Sequence, residues 1–179
     1  MTHRPSWTLG AAAAMLAATI ATAASAPQAP PAKLPPELLA KNVGDLTPAE
    51  EEAFAAAAEA TLERVCIFCH PFENITKTRR TGREWNDQVT MMAQRGAPGT
   101  DPDFALVKKY LTRYYGVVKV NSATAEELSS VLGFPPKVAA AVVEYRAANG
   151  KFTDLAALEK VAGVDKAKLE EQAEAISFD

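Results

Sequence analysis

An all-α fold follows from three features of this 179-residue sequence: apolar residues recur at three- and four-residue spacing, Thr, Pro and Gly punctuate those runs, and no stretch alternates convincingly as a strand would. Thr47-Pro48-Ala49-Glu50 is a capping-box start, with Pro at the first helical position and Glu three residues after the cap. It predicts a helix to about Val65. Gly82 to Gln94 reads as a second helix, ended by Gly96 and Pro98. Asp101-Pro102 opens a third, which turns Phe104, Val107, Leu111 and Tyr114 inward before Gly116 stops it. Residues 47–116 are therefore expected to form one helical unit.

The texture changes at Val117 to short helices joined by Gly-containing turns. Thr124-Ala125-Glu126-Glu127 is another capping box, leading to Leu132, and Pro136 to Ala148 continues helically until Gly150. Thr153 is expected to cap a helix to Val161, and Asp165 to Ala175 supplies the last. Val131-Leu132-Gly133-Phe134 is echoed thirty residues later by Val161-Ala162-Gly163-Val164, so residues 117–179 read as two copies of one helical hairpin.

Two segments precede these units. Residues 1–26 carry a short basic start (His3, Arg4), an apolar run from Leu9 to Ile20 and a small-residue end, the pattern of a Sec-type secretory signal peptide. The run is short for a retained membrane anchor, the competing reading. Export to the periplasm, with no integral membrane segment after cleavage, is the expectation. Residues 27–46 hold five of the 12 prolines and no sustained periodicity, which suggests a stiff extended linker. A formal net charge of −3 gives no general attraction to nucleic acid or anionic membrane.

The chemistry concentrates at Cys66-Ile67-Phe68-Cys69-His70. After signal removal His70 is the sole histidine and Cys66 and Cys69 the sole cysteines. A structural disulfide would not require the histidine, a thioredoxin-like pair would want a βαβ context, and a zinc site would lack its fourth ligand. C-x-x-C-H spacing instead suits two thioether bonds to the vinyl groups of one haem c, with the adjacent imidazole under the iron. With no second histidine, methionine is the candidate for the other axial position. On a helix turning about 100° per residue, Trp85, Val89 and Met92 share a face, whereas Met91 lies with Asp87, Gln88 and Arg95. Met92 is the expected ligand and Met91 the alternative. Both could instead be core residues. Trp85, Phe68, Phe72 and Tyr110 are candidates to pack on the ring, or ordinary core aromatics. The basic run Lys77, Arg79, Arg80 and Arg83 suits a haem propionate, an acidic partner or a solvated loop.

The run from Cys66 to His70, with Trp85-x3-Val89-x2-Met92, Gly96-Ala97-Pro98 and Lys109-Tyr110-Leu111-x2-Tyr114-Tyr115-Gly116, resembles small monohaem cytochromes c, including the cytochrome subunits of bacterial sulfite dehydrogenases. That resemblance implies a cytochrome c domain over 47–116, with the methionine at position 92 on the iron. Val118 to Leu128, Leu132-Gly133-Phe134-Pro135-Pro136-Lys137-Val138-Ala139, Tyr145-Arg146 and Gly150-Lys151-Phe152 are similar to the tandem helix-hairpin-helix domain of ComEA-type competence proteins and of PsbU-type photosystem subunits. Such hairpins often present backbone N–H groups to DNA phosphates from a Gly-hydrophobic-Gly turn.

Here the second glycine is Pro135 in one hairpin and Asp165 in the other, and residues 117–179 hold seven Lys/Arg against ten Asp/Glu. The sequence therefore favours a protein-docking role for this module, with DNA an unfavoured partner. Taken together, the leading expectation is an exported cytochrome that carries single electrons to or from a redox partner protein and is not an enzyme. The second is a ComEA-like DNA-binding protein with an accessory haem domain.

Overall fold

The computed structural model describes residues 34–179. The expected signal peptide, 1–26, and residues 27–33 lie outside that range.

Four of the longer helices start at a threonine that caps them. In α2 (Pro48–Cys66) the Thr47 hydroxyl accepts from the Glu50 N–H, while the Glu50 carboxylate accepts from the Thr47 N–H at 2.8 Å. The same reciprocal box opens α4 (Gly82–Gln94) with Thr81 and Glu84, α5 (Asp101–Tyr115) with Thr100 and Asp103, and α6 (Ala125–Leu132) with Thr124 and Glu127. Each satisfies amide donors that a helix N-terminus otherwise leaves unpaired. At α2, Lys41 Nζ adds an ion pair to Glu50 at 2.6 Å. That contact, with the Thr47 hydrogen bonds, pulls the Glu50 carboxyl down to about 2.

Helices α2, α4 and α5 share a core of Phe54, Leu62, Trp85, Val107 and Leu111. A second core is built by α6, α7 (Pro136–Asn149), α8 (Leu155–Leu158) and α9 (Lys166–Glu171) around Val120, Leu128, Val142, Leu158 and Leu169. Both lie within one compact unit, residues 31–179. Arg113 of α5 ties them: its guanidinium pairs with Glu51 of α2 at 3.1 Å and donates to the Val131 carbonyl of α6 at 3.1 Å. The ends of the second core meet in a short parallel pairing, Val118–Lys119 (β1) with Ile176–Ser177 (β2), in register Val118 to Ile176. The fold is thus mostly helical, as expected, with this one sheet contact added.

Three local expectations are corrected. The cap of α8 is Asp154, not Thr153; its carboxylate accepts from the Ala157 N–H at 2.7 Å, and the helix ends at Leu158. A short helix, α3 (Phe72–Thr76), follows the Cys-His motif. The described part of the expected linker, 34–46, is not an extended spacer. Pro35 and Pro36 start helix α1 (Pro36–Ala40), and a 3-10 turn follows at Val43–Asp45. A proline at a helix start loses no hydrogen bond, so proline content there favours a short helix as readily as extension. Lys109 Nζ donates to the Leu39 carbonyl at 2.9 Å, and Asn42 Oδ1 accepts from the buried Ser129 hydroxyl at 2.6 Å, so the segment straps both cores.

Candidate functional site: a thiol-lined cavity and two hairpins

Between the C-terminal end of α2, helix α3, α4 and α5 lies a cavity of about 460 Å³, within the roughly 300–1,000 Å³ of small-molecule and cofactor sites. Five of the expected site residues line it together: Cys66, Cys69, His70, Trp85 and Met92. They arrive from three places. Cys66 is the last residue of α2, Cys69 and His70 belong to the turn after it, and Trp85 and Met92 project from α4, seven residues apart on one face. Met91 is not among the lining residues, although Gln88 and Arg95, expected on its side of the helix, are.

Trp85 is 1% exposed and its indole N–H donates to the Tyr115 carbonyl at 2.9 Å, which fixes the ring in the cavity wall. The other candidate aromatics are not among the lining residues. Phe68 is 83% exposed and points away from any core. Phe72 and Tyr110 serve the N-terminal core instead: Phe72 stands edge-on to Tyr115 at 5.7 Å, and the Tyr110 hydroxyl donates to Glu59 at 2.8 Å.

The cavity fits a bound group on two counts. His70 Nδ1 is a buried nitrogen with no hydrogen-bond partner among the described residues. Buried polar atoms rarely stay unpaired in a finished interior, so this imidazole is set for something the protein alone does not supply. Cys66 and Cys69 are both free thiols at the cavity. Burial, then the neighbouring Cys69, pushes the Cys66 thiol up, which keeps it protonated at neutral pH. Among the described residues no group of three or more His, Cys, Asp or Glu is placed to hold a metal ion. The expectation of a metal site is corrected to that extent, because protein side chains alone form no such cluster.

The basic run divides. Arg79 is structural: its guanidinium donates to the carbonyls of Tyr114 at 3.2 Å and Gly116 at 3.1 Å. Arg80 lines the cavity, its guanidinium 5.6 Å from the Trp85 ring centre. Arg95 also lines it, a contribution that sequence reasoning had not singled out.

The second candidate site is the pair of hairpins. Gly133 ends α6 at φ 63°, and Gly163 precedes α9 at φ 88°, both in left-handed backbone that glycine adopts without strain. The second turn packs against the start of α7: a Cβ placed on Gly163 would sit 2.9 Å from Val138 Cγ2, in the first turn of that helix. Lys137, Lys166 and Lys168 are exposed beside them. Neither Pro135 nor Pro136 has an N–H to offer. The Asp165 carboxylate is engaged in capping α9, accepting from the Lys168 N–H at 3.0 Å.

Comparison with known proteins falls on this second site. A family model described as the helix-hairpin-helix motif matches residues 114–177. A stretch of 54 residues is 37% identical to ComE operon protein 1 of Bacillus subtilis (strain 168). That stretch is 30% of this chain, which spans only 26% of the relative's length. No solved structure matches the chain. Residues 114–177 are therefore similar to the helix-hairpin-helix motif, and a 54-residue stretch of the chain is similar to the ComE protein.

These findings overturn the leading expectation. The matched family and the matched relative both point to the hairpins, and neither is a cytochrome. The reading of an electron carrier whose C-terminal module merely docks it gives way to the one held second. The leading expectation took the C-x-x-C-H motif as primary and set DNA aside on the net charge of the whole module, which does not say where on it the charges stand. Arg146, for instance, donates to the Val120 and Ala123 carbonyls at 2.6 Å and belongs to the module's framework. At the hairpin end Lys137, Lys166 and Lys168 are exposed, with Lys166 paired to Glu159 at 3.4 Å and Glu170 at 3.8 Å.

Proposed function

We propose that this chain is an exported DNA-binding protein of the ComEA type, whose paired hairpins grip duplex phosphates, with an accessory cofactor domain beside them. The observation that carries the DNA reading is the close approach of Gly163 to Val138, which packs the second positive-φ turn of a helix-hairpin-helix segment against the helix that follows the first. Because Pro135 and Pro136 remove amide donors, the grip rests more on Lys137, Lys166 and Lys168 than on backbone N–H groups. Such binding is weak and steeply salt-dependent. Export is supported by the relation to the ComE protein and by the leader pattern of the sequence. No helix among the described residues is long and apolar enough to cross a membrane.

The test is fluorescence anisotropy with a short labelled duplex. About three phosphate contacts give an affinity loss of some 10- to 50-fold between about 50 mM and 200 mM salt. The triple variant Lys137→Glu, Lys166→Glu, Lys168→Glu abolishes binding. Undiminished binding by that variant refutes the hairpin assignment, and no salt-sensitive binding at the lowest salt refutes the DNA reading.

For the accessory domain, the cofactor we propose is one haem c, tethered by Cys66 and Cys69, with His70 and Met92 as the axial residues and Met91 as the alternative to Met92. The unpaired His70 nitrogen, the two free thiols and Met92 in one cavity wall support it. When bound, the group supplies an iron centre. The chain's own residues do the rest: the thiols anchor, the imidazole orients, and Trp85 closes the apolar wall. Intact mass of the exported protein tests this, since a mass equal to the bare processed chain excludes it.

A further inference from the structure

Polarity of the cavity wall points to the kind of molecule that fits it. Of its sixteen lining residues, two are arginines and none is Asp or Glu. Neither the Arg80 nor the Arg95 guanidinium forms an ion pair with a carboxylate among the described residues. Arg80 is held in place without one: its N–H donates to the Tyr115 carbonyl at 3.3 Å, its carbonyl accepts from the Val117 N–H at 2.9 Å, and its guanidinium lies by the Trp85 ring. Arg95 is placed by the end of α4, where its N–H donates to the Met91 and Met92 carbonyls at 3.1 Å. Elsewhere the wall is largely apolar, with Val65, Ile75, Val89, Phe104 and Leu111. Two arginines without carboxylate partners at an apolar cavity, Arg80 half-buried and Arg95 on the exposed rim, attract an anion, and the planar fork of arginine matches a carboxylate with two parallel hydrogen bonds.

We infer that Arg80 and Arg95 are the carboxylate-binding residues of this cavity, and that its ligand class is a flat, apolar ring bearing carboxylates. The inference rests on the cofactor reading above and adds the recognition of the ring's acidic edge. It assigns the two arginines a role distinct from tethering, because carboxylate recognition operates before any thioether bond exists.

The experiment uses the full chain, produced without haem attachment, and a metal-free dicarboxylate porphyrin titrated by its Soret band. The dimethyl ester of the same porphyrin serves as the control, since it keeps the ring and loses the charge. The expected result is that the dicarboxylate binds at least about tenfold more tightly than the ester, one charge-assisted contact being worth roughly that factor. Arg80→Gln with Arg95→Gln removes the difference while the ester's affinity is unchanged, and Arg80→Lys keeps part of it. Equal binding of acid and ester by the unaltered chain overturns the inference and leaves the cofactor reading intact. Failure of both porphyrins to bind a chain that melts cooperatively overturns the cofactor reading, and the inference with it.

Discussion

Leu128, Leu158 and Leu169 close the C-terminal core, each at most 1% exposed, whereas the core of α2, α4 and α5 leaves a cavity of about 460 Å³ beside Trp85. Both cores use the same means, capped helices with an apolar stripe. Only one is completed by its own side chains. The hairpin core is filled beneath its turns, and the N-terminal core borders open space. Two cores of one unit can thus differ in what a substitution costs.

The sharpest way to break this contrast is a pair of truncations in the ligand-free chain. Leu128→Ala empties a filled site and is expected to cost about 2–5 kcal/mol, read by urea unfolding. Met92→Ala enlarges a space that already exists and is expected to cost under about 1 kcal/mol. Equal losses would mean that the cavity is closed in solution. The next effect concerns the tie between the cores. Arg113→Met removes the contacts to Glu51 and Val131 and is expected to cost about 1–3 kcal/mol, while separating one unfolding transition into two. A single transition would show that the strap at 34–46 and the pairing of β1 with β2 suffice to couple the cores.

A smaller difference is chemical. In the reduced, ligand-free chain at neutral pH, iodoacetamide is expected to label exposed Cys69 before half-buried Cys66, whose thiol burial pushes up. Peptide mass mapping reads the order, and equal rates would place both thiols in water. The smallest effect is at the Glu50 cap. Its carboxyl is lowered in the folded chain, so its contribution is present above the ordinary value of 4.5 and lost as pH falls towards about 2. Glu50→Gln is expected to flatten the melting temperature between those pH values, and an unchanged slope would remove Glu50 from that account.

The helices were legible because local rules govern them. Thr47 and Thr124 announce their own boxes, and Gly82–Gln94 is bounded by residues that must interrupt a helix. Two-residue strands leave no periodicity to read, so the pairing of Val118 with Ile176 was invisible. Five-residue α3 is too short for a stripe. The strap was misjudged because proline suits a helix start as well as an extended linker, and only Ser129 and Lys109, distant in sequence, decide which. In the cavity, the spacing on α4 brought Trp85 and Met92 into view, since one helix fixes both. Arg95 escaped notice because its place depends on how α4 meets α2 and α5. Charge counting says little at the hairpins for a similar reason, since a sum over sixty residues carries no direction.

Gly163 has a further consequence. With a side chain at that position the second turn would be pried away from Val138. The clearance between that turn and α7 is set by one absent methyl group, in the manner of a caliper locked at its narrowest opening. On the proposed reading, a clearance fixed by packing suits the even repeat of duplex phosphates and carries no selection for base sequence.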